Sequence, residues 1–288
     1  NERAKIYRLI EREILSGILH GRVHVGEGLP TESALMVEHG ASRVSVRRAL
    51  SELKDQGIIS STAGRGTQVL SREGGFGCAL DFVVLIAPVH SPFFSSMMAP
   101  LDHLAAKRGA VLLYKHDFDG KMLQSPDFYL KLLERGARNL VLWPHVPQDD
   151  WSLLDRLRSV GMNIVVVDQE HETAAADVVA LDSDHGMQSL VQEIRSRSGN
   201  GPLRMLAHDP HLPSEHSRQD AFRKSAGDEH KVCLAPRLED DAHRDAFILQ
   251  LIKDALEESR PPVGFVCSNG GLGLAAARAV SVLRKELV

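Results

Sequence analysis

Seven apolar runs, each typical of a buried β-strand, recur after residue 80 and alternate with stretches of helical periodicity. Their continuous hydrophobicity is typical of parallel strands that are covered on both faces. The runs are DFVVLIA (81–87), AVLLY (110–114), NLVLW (139–143), NIVVVD (163–168), LRMLA (203–207), KVCLA (231–235) and VGFVC (263–267). This order of elements predicts a doubly wound parallel α/β fold.

The first 70 residues have a different organisation, in which three helices precede any strand. Ile6 to Leu19 carries an apolar stripe at helical spacing, a glycine-rich loop follows, and a second helix starts at Thr31. Gly57 to Leu70 then contains two short β-branched runs around Gly64-Arg65-Gly66. This pattern predicts a hairpin, or wing, with a cation at its tip.

The segment GASRVSVRRAL, from Gly40 to Leu50, combines a turn, a helix cap and a basic helix face. Gly40 permits the left-handed backbone that ends one helix, Ser42 is a good N-cap for the next, and Gly57 is placed to end it. The residues expected on its outer side are Arg43, Ser45, Arg47 and Arg48. Because arginine engages guanine edges or phosphates, the segment predicts a DNA-reading helix. The alternative is an arginine-bearing surface helix.

Residues 3–70 resemble the GntR-type winged helix-turn-helix domain. The matching residues are Leu29-Pro30-Thr31-Glu32, Gly40, Ser42, Arg43, Val46, Arg47, Ala49, Leu50 and Gly64 to Thr67. The resemblance implies that Arg43 and Arg47 contact bases or phosphates in the major groove. It also implies that Ser42 and Ser45 contact phosphates, and that Arg65 and Thr67 serve the wing near the minor groove. The full expected DNA-binding set is Thr31, Glu32, Ser42, Arg43, Ser45, Arg47, Arg48, Arg65, Gly66 and Thr67.

Ser33 departs from this pattern, because many relatives have arginine there, and one DNA contact is expected to be missing. Charge supports a division of the chain. Residues 1–72 contain eleven Lys and Arg against eight Asp and Glu, a net charge of +3, whereas the remainder carries −7 within a total of −4. A basic excess on the presumed DNA-binding part is modest support, because affinity depends on the number of phosphates neutralised.

The part after residue 80 resembles the LacI/GalR-type effector-binding domain, which has the periplasmic-binding-protein fold. The residues that carry the resemblance are Ser91 to Phe94, Val165 to Asp168, Leu181 to Gly186, Arg218-x-x-Ala221-Phe222 and Cys267 to Asn269. A GntR-type head on such a body resembles arabinose-repressor-type regulators. In open α/β sheets, ligands bind beyond the carboxyl ends of the strands, and these residues follow the predicted strands there.

The resemblance implies two lobes that close over a small effector. Aromatic side chains and polar groups of the lobes would contact this effector. The expected effector-binding residues are Ser91, Phe93, Phe94, His116, Asp168, His216, Arg218 and Asn269. Phe93 and Phe94 would stack on the effector, and the alternative is that they only pack the lobe. Gln169 and Gly270 replace an arginine and an aspartate of the family, so the expected effector is an unusual carbohydrate, a non-sugar, or a molecule that this protein binds weakly. The family also continues beyond the equivalent of Val288, so either an ordered tail follows or the regulator is truncated.

We expect a DNA-binding domain over 1–70, a linker over 71–80 and an effector-binding domain over 81–288, with lobes at about 81–168 and 169–288. No apolar run approaches the ~20 residues of a membrane span and no secretory signal opens the chain, so we expect a cytoplasmic protein. The three widely spaced cysteines favour buried thiols. The resemblance implies a homodimer on palindromic operator DNA, most simply as a repressor.

Two enzymatic alternatives have weak signals. Gly271 to Ala276 satisfies a Gly-x-Gly-x-x-Ala dinucleotide fingerprint, but the chain ends before a further strand presents an acidic ribose partner, and small residues packing a helix on the sheet are favoured. His208, His211 and His216 match no zinc spacing. We therefore expect no catalytic residue, metal or cofactor. A further alternative is a DNA-binding adaptor whose second domain only dimerises.

Overall fold

The computed structural model describes residues 2–62, 64, 66–70, 80–88, 92–117, 120–143, 152–168, 175–208, 213–227, 230–236, 241–258 and 263–286. The chain divides into two compact units. Unit 1 comprises Asn1–Val167 and Glu172–Val178, and unit 2 comprises Asp168–His171 and Val179–Val288. Of the linker expected over 71–80, only Leu80 belongs to the described residues.

Unit 1 begins with three helices and an antiparallel hairpin, residues 2–70, which we call the head. Its elements are α1 (Glu2–Leu19), α2 (Glu32–Glu38), α3 (Arg43–Asp55), β1 (Ile59–Thr62) and β2 (Gly66–Val69). Gly28 forms a bridge to Gln68 of β2, so the glycine-rich loop extends the hairpin. The head confirms the predicted winged helix-turn-helix fold.

Helix α3 ends where its sequence predicts. Gly57 has a φ of 62°, a left-handed conformation that costs glycine little. The Gly57 N–H donates to the Lys54 carbonyl at 2.7 Å, and the Ile58 N–H donates to the Leu53 carbonyl at 2.9 Å. These two bonds form a Schellman motif, which satisfies carbonyls that the helix leaves open. Gly40, with a φ of 57°, makes the same kind of ending after α2.

The sheet that follows the head has five strands in the order β4-β3-β5-β6-β7. The elements are β3 (Phe82–Ala87), α4 (Pro92–Lys107), β4 (Val111–His116), α5 (Pro126–Glu134), β5 (Asn139–Leu142), α6 (Ser152–Ser159), β6 (Asn163–Val167) and β7 (Asp177–Val179). Strand β3 pairs in parallel with β4 and β5, and β5 with β6. The sequence analysis did not predict β7, which has only three residues, all of them exposed.

The head of unit 1 packs on the helices of this sheet. Helix α1 contacts α5 and α6, and head and sheet share one continuous hydrophobic core. The Arg156 Nε donates to the Leu19 carbonyl at 2.9 Å, at the C-terminal end of α1, where open carbonyls carry partial negative charge. The Arg138 Nη2 donates to the Gln56 Oε1 at 3.0 Å. The sequence did not predict that the head is docked in this way.

Unit 2 has a three-stranded parallel sheet in the order β10-β8-β9. Its elements are α7 (Ser183–Ser198), β8 (Leu203–Ala207), α8 (Pro213–Ala226), β9 (Lys231–Leu234), α9 (Asp241–Glu258), β10 (Gly264–Cys267) and α10 (Gly270–Glu286). Met205 of β8 belongs to a core formed with α7 and α8, whereas Leu206 belongs to one formed with α9 and α10. Helices therefore cover both faces, which confirms the doubly wound prediction.

No helix in the described part of the chain combines the length and the apolar character that a membrane crossing demands.

Candidate functional site

Helix α3 carries Arg43, Arg47 and Arg48, and all three are exposed. The Ser42 Oγ accepts the Ser45 N–H at 3.3 Å and caps the helix, as predicted. Val46 and Leu53 are fully buried, which fixes the rotation of the helix and leaves Arg43 and Arg47 exposed. Arg43 forms no ion pair with any residue that the structure describes, so its guanidinium is available to a ligand.

Arg47 is held by the helix in front of it. Its Nε lies 3.0 Å from Oε2 and 3.3 Å from Oε1 of Glu32, the first residue of α2. Both side chains are well exposed, so the ion pair contributes little stability. Its effect is to orient the guanidinium. Thr31 is occupied differently, because its Oγ1 accepts the Ala34 N–H at 3.2 Å and caps α2.

Ser45 does not lie on the predicted outer face of α3, and Arg48 lies on it but contacts α1. Ser45 is only 6% exposed, and its hydroxyl lies 3.1 Å from that of Ser42, so its placement on the outer side was wrong. The third residue of a capped helix here turns toward the buried stripe. The Arg48 guanidinium lies 4.1 Å from the centre of the Tyr7 ring of α1, a cation–π contact. Its Nε also lies 3.7 Å from the Glu52 Oε1 on α3 itself, and the Arg48 side chain remains 57% exposed.

The wing is a short hairpin beside α3. The hydroxyls of Ser61 and Thr67 are 2.7 Å apart across its two strands. Gly64 and Gly66 have φ values of 82° and 76°, which glycine adopts readily at a tight turn. The predicted wing cation, Arg65, lies outside the described residues.

A second group of polar side chains lies in unit 2, at the carboxyl end of its sheet. We call Asp168, Glu215, Arg218, Ser268 and Asn269 the polar cluster. Strand β8 lies between β9 and β10, so the order of strands reverses at β8, and such a reversal opens a crevice at the carboxyl ends. Helix α8 starts just after β8, and Ser268 and Asn269 follow β10 directly.

An ion pair anchors the polar cluster. The Arg218 Nη2 lies 2.5 Å from the Asp168 Oδ1, and the two side chains are only 13% and 10% exposed. The Arg218 Nη1 also donates to the Ser268 carbonyl at 3.4 Å. Asp168 has a φ of 61°, and its N–H donates to the Val179 carbonyl at 2.9 Å. A left-handed backbone at a non-glycine residue stores strain, and such residues concentrate at functional sites.

Glu215 is the member of the polar cluster that the sequence analysis missed. It is 4% exposed, and its Oε1 accepts the Asn269 Nδ2 at 3.1 Å. Its spacing to Arg218, three residues along α8, places both on one helix face. That spacing was visible in the sequence, but a lone Glu near a helix start is usually solvated.

The other predicted effector residues are not part of this cluster. His216 lies on the exposed side of α8 and pairs with Asp220, so the structure does not bring it to Arg218. Phe94 is buried in unit 1 with its ring centre 5.2 Å from that of Trp143, which is the packing alternative, whereas Phe93 is exposed. His116 ends β4 of unit 1. Ser91 lies outside the described residues.

The residues that suggested enzymatic chemistry have structural neighbours. The glycine-rich segment opens α10, and Leu272 and Ala275 pack in the core of unit 2. The His208 Nδ1 lies 3.0 Å from the Ala235 carbonyl oxygen, at hydrogen-bond distance. Burial raises the pKa of the Cys267 thiol to about 11, so at neutral pH it stays protonated and is a poor nucleophile or metal ligand.

The head and the two helix-covered parallel sheets define a class of protein with a helix-turn-helix domain joined to a binding-protein-like α/β domain. Residues 4–69 match the family model of bacterial regulatory proteins, gntR family. These residues are therefore a GntR-family helix-turn-helix domain, as their motifs predicted.

Curated relatives match mainly through the head. The mannosyl-D-glycerate transport/metabolism system repressor MngR of Escherichia coli (strain K12) is 48% identical over 64 residues, which are 22% of this chain and 27% of that protein. The putative HTH-type transcriptional regulator RmpR of Mycobacterium gastri is 32% identical over 122 residues, 38% of this chain and 41% of that protein. The chain thus spans less than half the length of these relatives.

The rest of the chain is similar to solved sugar-binding proteins in fold. A Caulobacter myo-inositol binding protein bound to myo-inositol superimposes with a TM-score of 0.58 at 19% identity, over 73% of this chain and 72% of that chain. The likeness confirms the predicted periplasmic-binding-protein-like fold. The narrower LacI/GalR-type assignment stays a prediction.

Proposed function

We propose that this chain is a bacterial transcriptional regulator that binds specific duplex DNA in the cytoplasm, represses transcription and is released by a carbohydrate-like effector. The observation that carries the proposal is the capped α3 with Arg43 and Arg47 exposed beside a wing. A helix of this kind enters the major groove, where arginine distinguishes guanine from the other bases. The same chain is proposed to have no catalytic activity.

The effector part of the proposal rests on the polar cluster. A strained Asp168 and a nearly buried ion pair at the reversal of the strand order are features of a binding site, and the fold likeness is to proteins that hold small polyols. MngR is named as the repressor of a mannosyl-D-glycerate system. We propose that Asp168, Arg218 and Asn269 contact the effector in this chain.

Selection of DNA tests the proposal. The full chain is incubated with a random duplex library, and bound fragments are sequenced and footprinted. We expect one enriched inverted repeat whose half-sites are about 34–36 Å apart or a multiple of that distance. Binding should weaken linearly with the logarithm of salt concentration, because phosphate contacts release counterions. A library that shows no enrichment contradicts the proposal, and an enriched site that no carbohydrate releases favours the adaptor alternative.

We also propose that two copies pair through β4, as reading two half-sites requires. This strand is the edge of the five-stranded sheet and exposes Val111, Leu113 and Tyr114. An edge strand has backbone N–H and C=O groups that no neighbouring strand pairs with. Exposed apolar side chains on such a strand are typical of a protein–protein interface. A second copy of the chain supplies both.

Replacing Leu113 with glutamate should break this pairing. We expect at least a tenfold rise in the dimer dissociation constant, measured by sedimentation equilibrium, because the change puts a charge into an apolar contact. The matched control is Leu190→Glu on α7, since Leu190 is 46% exposed and Leu113 is 41% exposed. The control should remain dimeric. A Leu113→Glu chain with an unchanged dissociation constant removes β4 from the interface.

A further inference from the structure

A carboxylate oxygen of α8 is buried with no hydrogen-bond partner among the described residues. The Glu215 Oε2 is shielded from solvent and has no hydrogen-bond partner among the described residues, while its Oε1 accepts from Asn269. A buried carboxylate oxygen without a donor is costly, since burial removes its water and nothing replaces it. Such a group in a native structure requires an explanation.

The neighbours of Glu215 are already engaged. Arg218 pairs with Asp168 and donates to the Ser268 carbonyl. The Asn269 Oδ1 accepts the Leu272 N–H at 3.0 Å, and its Nδ2 lies 3.3 Å from the Ser268 Oγ. None of the hydrogen bonds that these described neighbours form reaches the Glu215 Oε2. With two carboxylates and one guanidinium, the cluster carries a formal charge of −1.

We propose that Glu215 binds the effector and that the effector donates a hydrogen bond to its free oxygen through a hydroxyl or amino group. This inference rests on the proposed effector response of the chain and specifies its ligand. The terminal torsion of a glutamate is soft, so a small rotation turns the oxygen toward an arriving donor.

The charge of the polar cluster restricts the class of effector. The only cation of the cluster is neutralised by Asp168, and Glu215 adds a negative charge at the same place. A phosphorylated or carboxylated sugar would bring a second anion beside Glu215, which is unfavourable at low dielectric. The effector is therefore a neutral polyol or an amino sugar.

The test compares Glu215→Gln with the parent chain, and Asp220→Asn is the matched control. Asp220 also lies on α8, but it pairs with His216 and Arg223 away from the cluster. Without any sugar, Glu215→Gln should raise the Tm by about 2–4 °C, because a neutral amide is less costly to bury than an unpaired carboxylate. The control should leave the Tm unchanged. A lower Tm for Glu215→Gln shows a purely structural role and overturns the inference.

The second readout is ligand binding by calorimetry, with myo-inositol, D-glucose, D-glucosamine and D-glucose 6-phosphate as probes. We expect at least one of the first three to bind the parent chain, and Glu215→Gln to weaken that binding at least tenfold. D-glucose 6-phosphate should bind worst. Tightest binding of the phosphate, equal binding by the variant, or no binding of any probe overturns the inference.

Operator binding, measured on the same samples, separates this inference from the proposed function. If D-glucose 6-phosphate releases DNA, the regulator proposal stands and the neutral effector is wrong. If the parent chain selects no DNA sequence, the regulator proposal itself fails, whatever Glu215 binds.

Discussion

Replacing Arg47 with alanine is expected to weaken operator binding by about 1–3 kcal/mol and to relax the preference at one base position. The reason is the geometry of the guanidinium, which Glu32 holds through Nε on the exposed side of α3. Because the Arg47 guanidinium is oriented before binding, it loses less side-chain entropy when it contacts a guanine edge. Competition titrations against operators altered at single positions measure both effects.

The matched control for this prediction is Arg48→Ala on the same helix. Arg48 lies over the Tyr7 ring, so its loss should lower the stability of the head by about 0.5–1 kcal/mol while the base preference stays the same. If the two variants bind the altered operators alike, Arg47 does not read a base. Glu32→Gln adds a further comparison, because it keeps Arg47 but removes the charge that orients it.

Replacing Asp168 with alanine is expected to lower the free energy of unfolding more than any other single substitution proposed here. It leaves the Arg218 guanidinium nearly buried without its counter-charge, and breaking a buried pair on one side costs about 3–5 kcal/mol. The lower end of that range is expected, since Arg218 keeps its bond to the Ser268 carbonyl. The change should also abolish the response to effector. Chemical unfolding of the full chain and effector-dependent release of operator DNA measure the two results.

A double variant separates the loss of stability from the loss of the site. Asp168→Leu with Arg218→Met replaces the ion pair by apolar side chains of similar size, which is often neutral or stabilising. It should recover only part of the lost stability, because leucine at position 168 is strained in the left-handed backbone, and it should still fail to respond to effector. Asp168→Asn, which tolerates the left-handed backbone, should fall between the parent chain and the alanine variant. A double variant that releases DNA normally shows that the pair is structural only.

The fold of the head could be predicted because its signals are local. Gly57 and Ser42 bracket α3 at a fixed spacing, and each acts through bonds to residues within a few positions. The strands after residue 80 were also predictable, since parallel strands buried on both faces form continuous apolar runs. Ser45 was misplaced because the sequence gives an average helical rotation, whereas its hydroxyl turns toward that of Ser42.

The polar cluster was predicted only in part, because its members come together over long separations. Arg218 is fifty residues from Asp168, and Asn269 is fifty-four residues from Glu215. The resemblance to a known family supplied Asp168, Arg218 and Asn269 as candidates. Glu215 belongs to no motif, and its proposed role was inferred from an oxygen without a partner among the described residues, which only the three-dimensional structure reveals. The docking of α1 on α5 and α6 was equally invisible, since it depends on which helix faces meet.

The docking of the head on the five-stranded sheet bears on the distance between operator half-sites that a dimer could bind. A head joined to the rest of the chain by a flexible linker could bind operators with many different distances between their half-sites. Here the bond from Arg156 to the end of α1 and the shared core join the head to the five-stranded sheet. If two copies pair through β4 as proposed, this docking would hold their two α3 helices at a single separation, and we expect operators with only one spacing of half-sites to bind.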